Sequence, residues 1–325
     1  LILALLVKLT IAALLPVTRD EAYFVLWRRH LDSGYYDHPP MAGWLTWLML
    51  QISEHPVVVR LPGIATELLI AIGLYAQWHR FDAEKARLAA LVFLFSTLSL
   101  IFVFTLTDTG CMLFAALSSF AAMQALTPTA SATGTRHSAK SYGWAVLAGL
   151  ALGLAFLSKY FAVFLGLAYL IYFFAVNRRL WRLGLTLVLV AIPFGLLNLY
   201  WNLTHCWSNL LFNLVNRNRG ETGIQWSDVL TYIGMMGYVV LPPLALAWWR
   251  SWGHLQKQLP AELAESARLA RVIVLTALIG FLVVSLKKTI GLHWVLWFYP
   301  MVLMALFTTP VAQWQRWLRW MGGLP

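Results

Sequence analysis

Cysteine, charge and nucleotide motifs are all scarce in this 325-residue chain. Cys111 and Cys206 are its two cysteines. They build no disulfide framework and match no metal spacing, so both are expected to be packing residues. The P-loop, the GxGxxG turn and the HExxH helix are absent, which leaves nucleotide hydrolysis, dinucleotide redox chemistry and zincin proteolysis without a local signal. Only 11% of residues are Asp, Glu, Lys or Arg, so any cluster of ionisable side chains calls for an explanation. No internal duplication is visible.

What is abundant is apolar. Hydrophobic residues make up 60% of the chain, and runs long enough to cross a ~30 Å hydrocarbon core recur along it. Ten spans are expected, at 1–17, 57–78, 88–107, 109–126, 142–157, 160–176, 181–200, 230–249, 272–286 and 292–309, the shortest being marginal. Residues 1–17 lack a small-residue cleavage site and lead into an acidic amphipathic segment, so they read as a retained first helix rather than a signal peptide. Gly149 and Gly153 form a small-xxx-small pair that lets two helices approach closely. Residues 127–141 read as a polar cytoplasmic linker. Within the cytoplasmic segment 250–271, residues 254–271 read as an amphipathic surface helix begun near Pro260. The fold class expected is an all-α integral membrane protein forming one domain over 1–325.

The net charge of +11 could invite a nucleic-acid partner, but its distribution points to a membrane instead. With the start inside, the segments 79–87, 127–141, 177–180, 250–271 and 310–325, together with Arg182, carry 14 Lys and Arg against 4 acids. That asymmetry is what the positive-inside rule expects, and no nucleic-acid partner is anticipated.

The outer loops are 18–56 and 201–229. In the first, Tyr23, Phe24, Leu26, Trp27 and Leu31 recur at helical spacing among Arg28, Arg29 and Asp32, which suits a short helix lying in the interface plane. Pro39 and Pro40 then open a second short helix, MAGWLTWLMLQIS, too short to span at about 1.5 Å per residue. The polar residues at the outer ends of the spans form a set: Asp20, Glu21, Asp37, His38, Arg60, Asp108, Lys159, Asn198, Asn202, His205, Arg217, Arg219, Lys287, Lys288 and His293. Ionisable groups at membrane depth cost free energy, so such a set points to chemistry. Lys159, in FLSKYF, is costly unless it snorkels or meets an anion. Adjacent Lys287 and Lys288 could hold a phosphate or simply anchor a span end. A helix-end carboxylate paired with Arg19 or Arg60 is the plainer reading of Asp20, and helix capping that of Asp108.

The order DEAYF, YYDHPP, VRLPG, a TD turn, GLALGLAFLSKY, YWN with His205 and Trp207, and a late HW resembles the bacterial GT-C glycosyltransferases. These include the aminoarabinose and galacturonic acid transferases that modify lipid A and, more distantly, the protein O-mannosyltransferases. The resemblance covers nearly the whole chain and implies a GT-C-like bundle of about ten transmembrane helices, with two short interfacial helices in the first outer loop. The large soluble C-terminal domain of longer members is not expected here. The resemblance further implies a multi-pass enzyme of the bacterial inner membrane, active at its periplasmic face. Such an enzyme moves a sugar from a polyprenyl-phosphate donor to a lipid A-type or other acceptor, with inversion. It places Asp20 as general base, Glu21 as its partner and Asp108 at the second acidic position. Asp37, His38, Arg60, Lys159, Arg217, Arg219, Lys287, Lys288 and His293 are then candidates for donor and phosphate binding. A divalent metal ion held by Glu21 and His205 is a candidate cofactor. The competing reading is a multi-pass transporter or lipid flippase, against which stand the missing repeat and the position of the ionisable groups at the outer ends.

Overall fold

The computed structural model describes residues 2–96, 99, 103–127, 138–216, 223–239 and 260–307. Among these the chain is helical, without a strand. The first helices are α1 (Ile2–Leu14), α2 (Arg19–Leu26), α3 (Met41–Leu50), α4 (Pro56–Trp78) and α5 (Ala83–Phe95). Next come α6 (Thr107–Ala125), α7 (Ala139–Ser158), α8 (Val163–Ile171, prolonged by a π-turn to Val176) and α9 (Trp181–Thr204). The last are α10 (Ser208–Leu214), α11 (Trp226–Val239), α12 (Ala261–Ser285), α13 (Leu292–Val295) and α14 (Tyr299–Leu306).

Every predicted apolar run contains a helix, but the lengths differ. Among the described residues, four helices can cross a membrane by length and composition: Pro56–Trp78, Ala139–Ser158, Arg178–Thr204 and Ala261–Ser285. The pair Ile2–Leu14 and Arg19–Arg29 would be a fifth if counted as one span, although it is bent by 79°. The helix α6 fails the apolarity test for a physical reason. It is the central helix, packed on α4 and α7, and its Ser118 hydroxyl is satisfied by the Ala148 carbonyl at 2.8 Å and Tyr169 Oη at 2.9 Å. A helix walled by protein need not be apolar all round. At the other extreme is the helix Arg178–Thr204, whose apolar stretch is only 22% buried within the bundle.

Two expectations need correction. Residues 261–271 are not a separate surface helix: they are the first turns of α12, which runs unbroken from Ala261 with Leu263, Ala267, Leu269 and Ala270 buried. Cys206 is exposed rather than packed, and with Trp207 it forms a left-handed turn (φ 55° and 57°) between α9 and α10. Positions 97–98, 100–102, 128–137, 240–259 and 308–309, parts of the predicted spans, linker and cytoplasmic segment, lie outside the described residues.

The first outer loop holds both short helices, α2 carrying Tyr23, Phe24 and Leu26 and α3 beginning just after Pro40. The hinge that sets their direction lies at residues 15–18, where Pro16 interrupts the chain and Thr18 starts α2 through a reciprocal cap: Glu21 N donates to Thr18 Oγ1 at 3.2 Å and Thr18 N to Glu21 Oε2 at 2.9 Å. Deeper in the bundle, Lys8 of α1 pairs with Glu67 of α4, both fully buried, and also donates to Ser99 Oγ at 3.1 Å.

Close helix approach depends on small residues. A Cβ at Gly153 would enter the ring of Phe194, and one at Gly149 would meet the Leu187 carbonyl, so the α7–α9 contact requires both glycines. Replacing Gly153 with Leu is expected to destabilise the protein by about 1–3 kcal/mol through overpacking, read as a lowered thermal midpoint in detergent.

Candidate functional site

Asp20, Asp37, His38, Asp108, Lys159, Lys287, Lys288 and His293 line one cavity of about 680 Å³ beneath α2. They reach it from five places in the chain: the first turn of α2, the loop before α3, the first turn of α6, the end of α7, and the stretch from the end of α12 into α13. An apolar wall of Phe156, Phe161, Val163, Val283 and Val284 borders the same space.

The acidic groups differ in their surroundings. Asp20 is exposed, and its carboxylate forms no ion pair or side-chain hydrogen bond among the described residues. Asp108 is 4% exposed and receives the Lys159 ammonium on both oxygens, at 2.6 and 2.7 Å. This contact follows from local sequence. Gly110 lets the start of α6 approach the end of α7 and the side of α3: a Cβ there would lie 2.6 Å from Ser158 Oγ and 2.9 Å from Met41 Cγ. Asp108 also sits in the first turn of α6, where exposed backbone N–H groups favour negative charge. Lys159 is 7% exposed and lies 5.6 Å from the Trp294 ring, whose other cation neighbour is Lys288 at 5.9 Å. Asp37 accepts a hydrogen bond from Tyr23 Oη at 3.0 Å. Burial, reinforced by the Asp37 charge, pushes the Tyr23 phenol up to about 12, so it remains a donor at any ordinary pH.

Several cavity residues escaped the sequence reading. Tyr23, three residues after Asp20, faces the same cavity, as helical spacing would allow. Tyr160, Asn209 and Asn213 join Asn198, already among the polar residues expected at the span ends, in a polar chain behind the cavity. Tyr160 Oη donates to Asn209 Oδ1 at 2.5 Å, Asn209 Nδ2 donates to the Tyr35 carbonyl at 2.6 Å, and Asn213 Nδ2 donates to the Asp37 carbonyl at 3.0 Å. The Asn209–Asn213 spacing of one turn was a visible signal, whereas their partners more than 170 residues away were not.

Three expected groupings do not form. Glu21 and Arg60 do not face the cavity. They pair with each other on the far side of α2, at 1% and 0% exposure, so Arg60 is spent on Glu21 and three carbonyls and not held ready for phosphate. Its Nε donates to Glu21 Oε1 and its Nη2 to Glu21 Oε2, both at 2.8 Å. The Ala12, Leu15 and Pro16 carbonyls take its remaining donors at 2.7–2.8 Å. Arg60 therefore does not pair with Asp20 either. The metal set Glu21 plus His205 does not fit an ion. Both Glu21 oxygens are engaged, while His205 stacks on Trp201 at 4.2 Å and sits 3.5 Å from Asp32. Among the described residues no group of three or more His, Cys, Asp or Glu could hold a metal ion. Arg217 and Arg219 lie outside the described residues.

The family model described as dolichyl-phosphate-mannose-protein mannosyltransferase matches residues 37–201, half of the chain and half of the residues that line the cavity. The chain belongs to this family. Among its curated relatives, the lipid A galacturonosyltransferase RgtD of Rhizobium johnstonii is 27% identical over 312 residues, 94% of this chain and 62% of that one. Among solved structures, ArnT from Cupriavidus metallidurans in the apo state superposes with a TM-score of 0.73 at 16% identity, covering 98% of this chain and 60% of ArnT. The same enzyme bound to undecaprenyl phosphate gives 0.70 at 18% identity, with 98% and 61% covered. This member of the mannosyltransferase family thus shares the ArnT fold and spans about three fifths of the length of these relatives.

The buried pair makes a stability prediction. Burial raises the Glu21 pKa, but the Arg60 hydrogen bonds, the Thr18 amide, the guanidinium charge and the Thr105 amide outweigh it and leave the carboxyl below its ordinary value. The stabilisation is therefore complete above the unfolded pKa, about 4.3, and is lost as pH falls through the folded value. Arg60→Met, which strands Glu21, is expected to cost about 3–5 kcal/mol. Thermal midpoints measured from pH 7 downward should fall more steeply for the wild type than for Glu21→Gln.

Proposed function

We propose that the chain is a glycosyltransferase of a bacterial inner membrane, moving a sugar from a polyprenyl-phosphate carrier to a hydroxyl of a lipid A-type acceptor at the periplasmic face. All ten apolar runs cross the membrane in this reading, with α2 and α3 lying at the outer interface. The observation that carries it is the cavity beneath α2. There an unpaired carboxylate, Asp20, opens into the same space as Lys287, Lys288 and His293, beside an apolar wall. A polyprenyl-phosphate sugar has that division of character: a long hydrocarbon tail, an anionic phosphate and a polar ring. Family membership and the name of the lipid A galacturonosyltransferase relative support the reaction class and the acceptor. The ArnT structure with undecaprenyl phosphate supports the donor.

The chemistry follows from the placement. Asp20 takes the proton of the acceptor hydroxyl as its oxygen attacks the anomeric carbon from the side opposite the phosphate. The bond from that carbon to the phosphate oxygen breaks, and polyprenyl phosphate leaves with the electron pair. Lys287, Lys288, His293 and Lys159 meet the charge that develops on the departing oxygen, an electrostatic stabilisation that counts most where water is scarce. Opposite-side displacement inverts the anomeric configuration. Asp108 holds Lys159 at the cavity edge, while Asp37, His38 and Tyr23 are placed to bind sugar hydroxyls.

The test is transfer to lipid A by purified protein, with a panel of undecaprenyl-phosphate sugars that includes galacturonic acid and aminoarabinose. Asp20→Asn should cut the rate by about 10²–10⁴-fold at an unchanged thermal midpoint. Lys287→Ala with Lys288→Ala should weaken donor binding. Transfer by folded Asp20→Asn at the wild-type rate would remove Asp20 as base. Substrate movement across proteoliposomes without covalent transfer would overturn the enzyme reading.

A further inference from the structure

We infer that Glu21 and Arg60 are positioning residues, which hold the two cavity carboxylates Asp20 and Asp108 in a fixed relation without touching substrate. The inference rests on the proposed role of Asp20 and assigns a task to a buried pair outside the cavity.

The geometry begins with α2. Consecutive residues on a helix point about 100° apart, so Asp20 can open into the cavity while Glu21 turns into the bundle. There the Glu21 carboxylate accepts four N–H groups from three further places. Thr18 N caps α2, Arg60 Nε and Nη2 come from α4, and Thr105 N comes from the strap before α6, at 3.3 Å. Thr105 lies three residues before Asp108, and its hydroxyl donates to the Val59 carbonyl at 2.6 Å, beside Arg60. The segment that starts α2 and the segment that starts α6 are thus anchored on one turn of α4. From those two starts the two carboxylates reach the cavity.

Arg60 fixes the other side of the hinge. Its three remaining donors hold the Ala12, Leu15 and Pro16 carbonyls, which the end of α1 leaves without helical partners. A guanidinium has five donors in a rigid fork and a carboxylate about four acceptor sites. One such pair can join four chain segments at a point, which no apolar contact of that size could do. Turning α2 enough to move Asp20 would break hydrogen bonds to buried charge, which is expensive. Seven residues further along α4, the Lys8–Glu67 pair holds α1 in register in the same manner.

The experiment is steady-state kinetics of Glu21→Gln, Arg60→Lys and the double variant Glu21→Gln/Arg60→Met, using the undecaprenyl-phosphate sugars and lipid A named above. In a positioning role, each single variant loses about 100-fold in kcat, with KM for donor and acceptor within about threefold of wild type. The double variant leaves no buried unpaired charge. It should be more stable than Arg60→Met, although the Ala12, Leu15 and Pro16 carbonyls lose their donors, while kcat stays low, which a purely structural pair would not do. Backbone hydrogen exchange gives a readout independent of turnover, because the Thr105 amide should exchange faster in folded Glu21→Gln. Wild-type kcat in folded Glu21→Gln, recovery of kcat together with stability in the double variant, or an unchanged Thr105 amide would each overturn the inference. A raised KM at unchanged kcat would make Glu21 a substrate contact and overturn it too. A fully active Asp20→Asn would instead strike only the assignment of the base.

Discussion

The Arg60 guanidinium is the constraint on which the α2 end of this bundle depends. Every one of its donors is used: two on Glu21, and the rest on the last carbonyls before the hinge at Pro16. Without it, the end of α1 would leave the Ala12, Leu15 and Pro16 carbonyls without their donors. With it, the chain can bend by 79° within a few residues and lay α2 across the end of the bundle. A charged side chain at 0% exposure is costly in isolation. Here complete pairing offsets that cost, and the result is a hinge with a defined angle.

The roof made by α2 and the loop before α3 produces a cavity with divided character. Carboxylates enter from α2, from the loop before α3 and from the start of α6, while lysines enter from the ends of α7 and α12. One acid–base pair, Asp108 with Lys159, is closed on itself, and Asp20 is left open. Trp294 lies between two of the cations, at 5.6 Å from Lys159 and 5.9 Å from Lys288, and so keeps both near the apolar wall. The site therefore combines a hydrocarbon-compatible side with a charged side in a single space. The shared ArnT fold fits that arrangement.

Much of this was readable beforehand. Each hydrophobic run contains a helix, and the aromatic spacing at Tyr23, Phe24 and Trp27 located the short roof helix. The ordered motifs pointed to the cavity acids and lysines. What failed was the sense of neighbouring side chains. Asp20 and Glu21 are adjacent in sequence, yet one faces the cavity and the other the bundle. The Thr18–Glu21 spacing of a reciprocal cap was the local signal that Glu21 was already engaged. Arg60 was misassigned because nothing local shows that three carbonyls of another helix end beside it. The continuous α12 hid its first turns behind an amphipathic pattern, since a helix that begins in polar surroundings and continues into apolar ones looks like two elements.

The central claim is that the cavity under α2 takes a polyprenyl-phosphate sugar with Asp20 facing the reacting carbon. A cryo-electron microscopy structure of the Asp20→Asn protein in lipid nanodiscs with an undecaprenyl-phosphate sugar tests it most directly. The account predicts the phosphate among Lys287, Lys288 and His293, the sugar beside residue 20, the prenyl chain along Phe161 and Val283, and an unbroken Glu21–Arg60 pair. A donor bound elsewhere, or a phosphate that draws Arg60 away from Glu21, would contradict it.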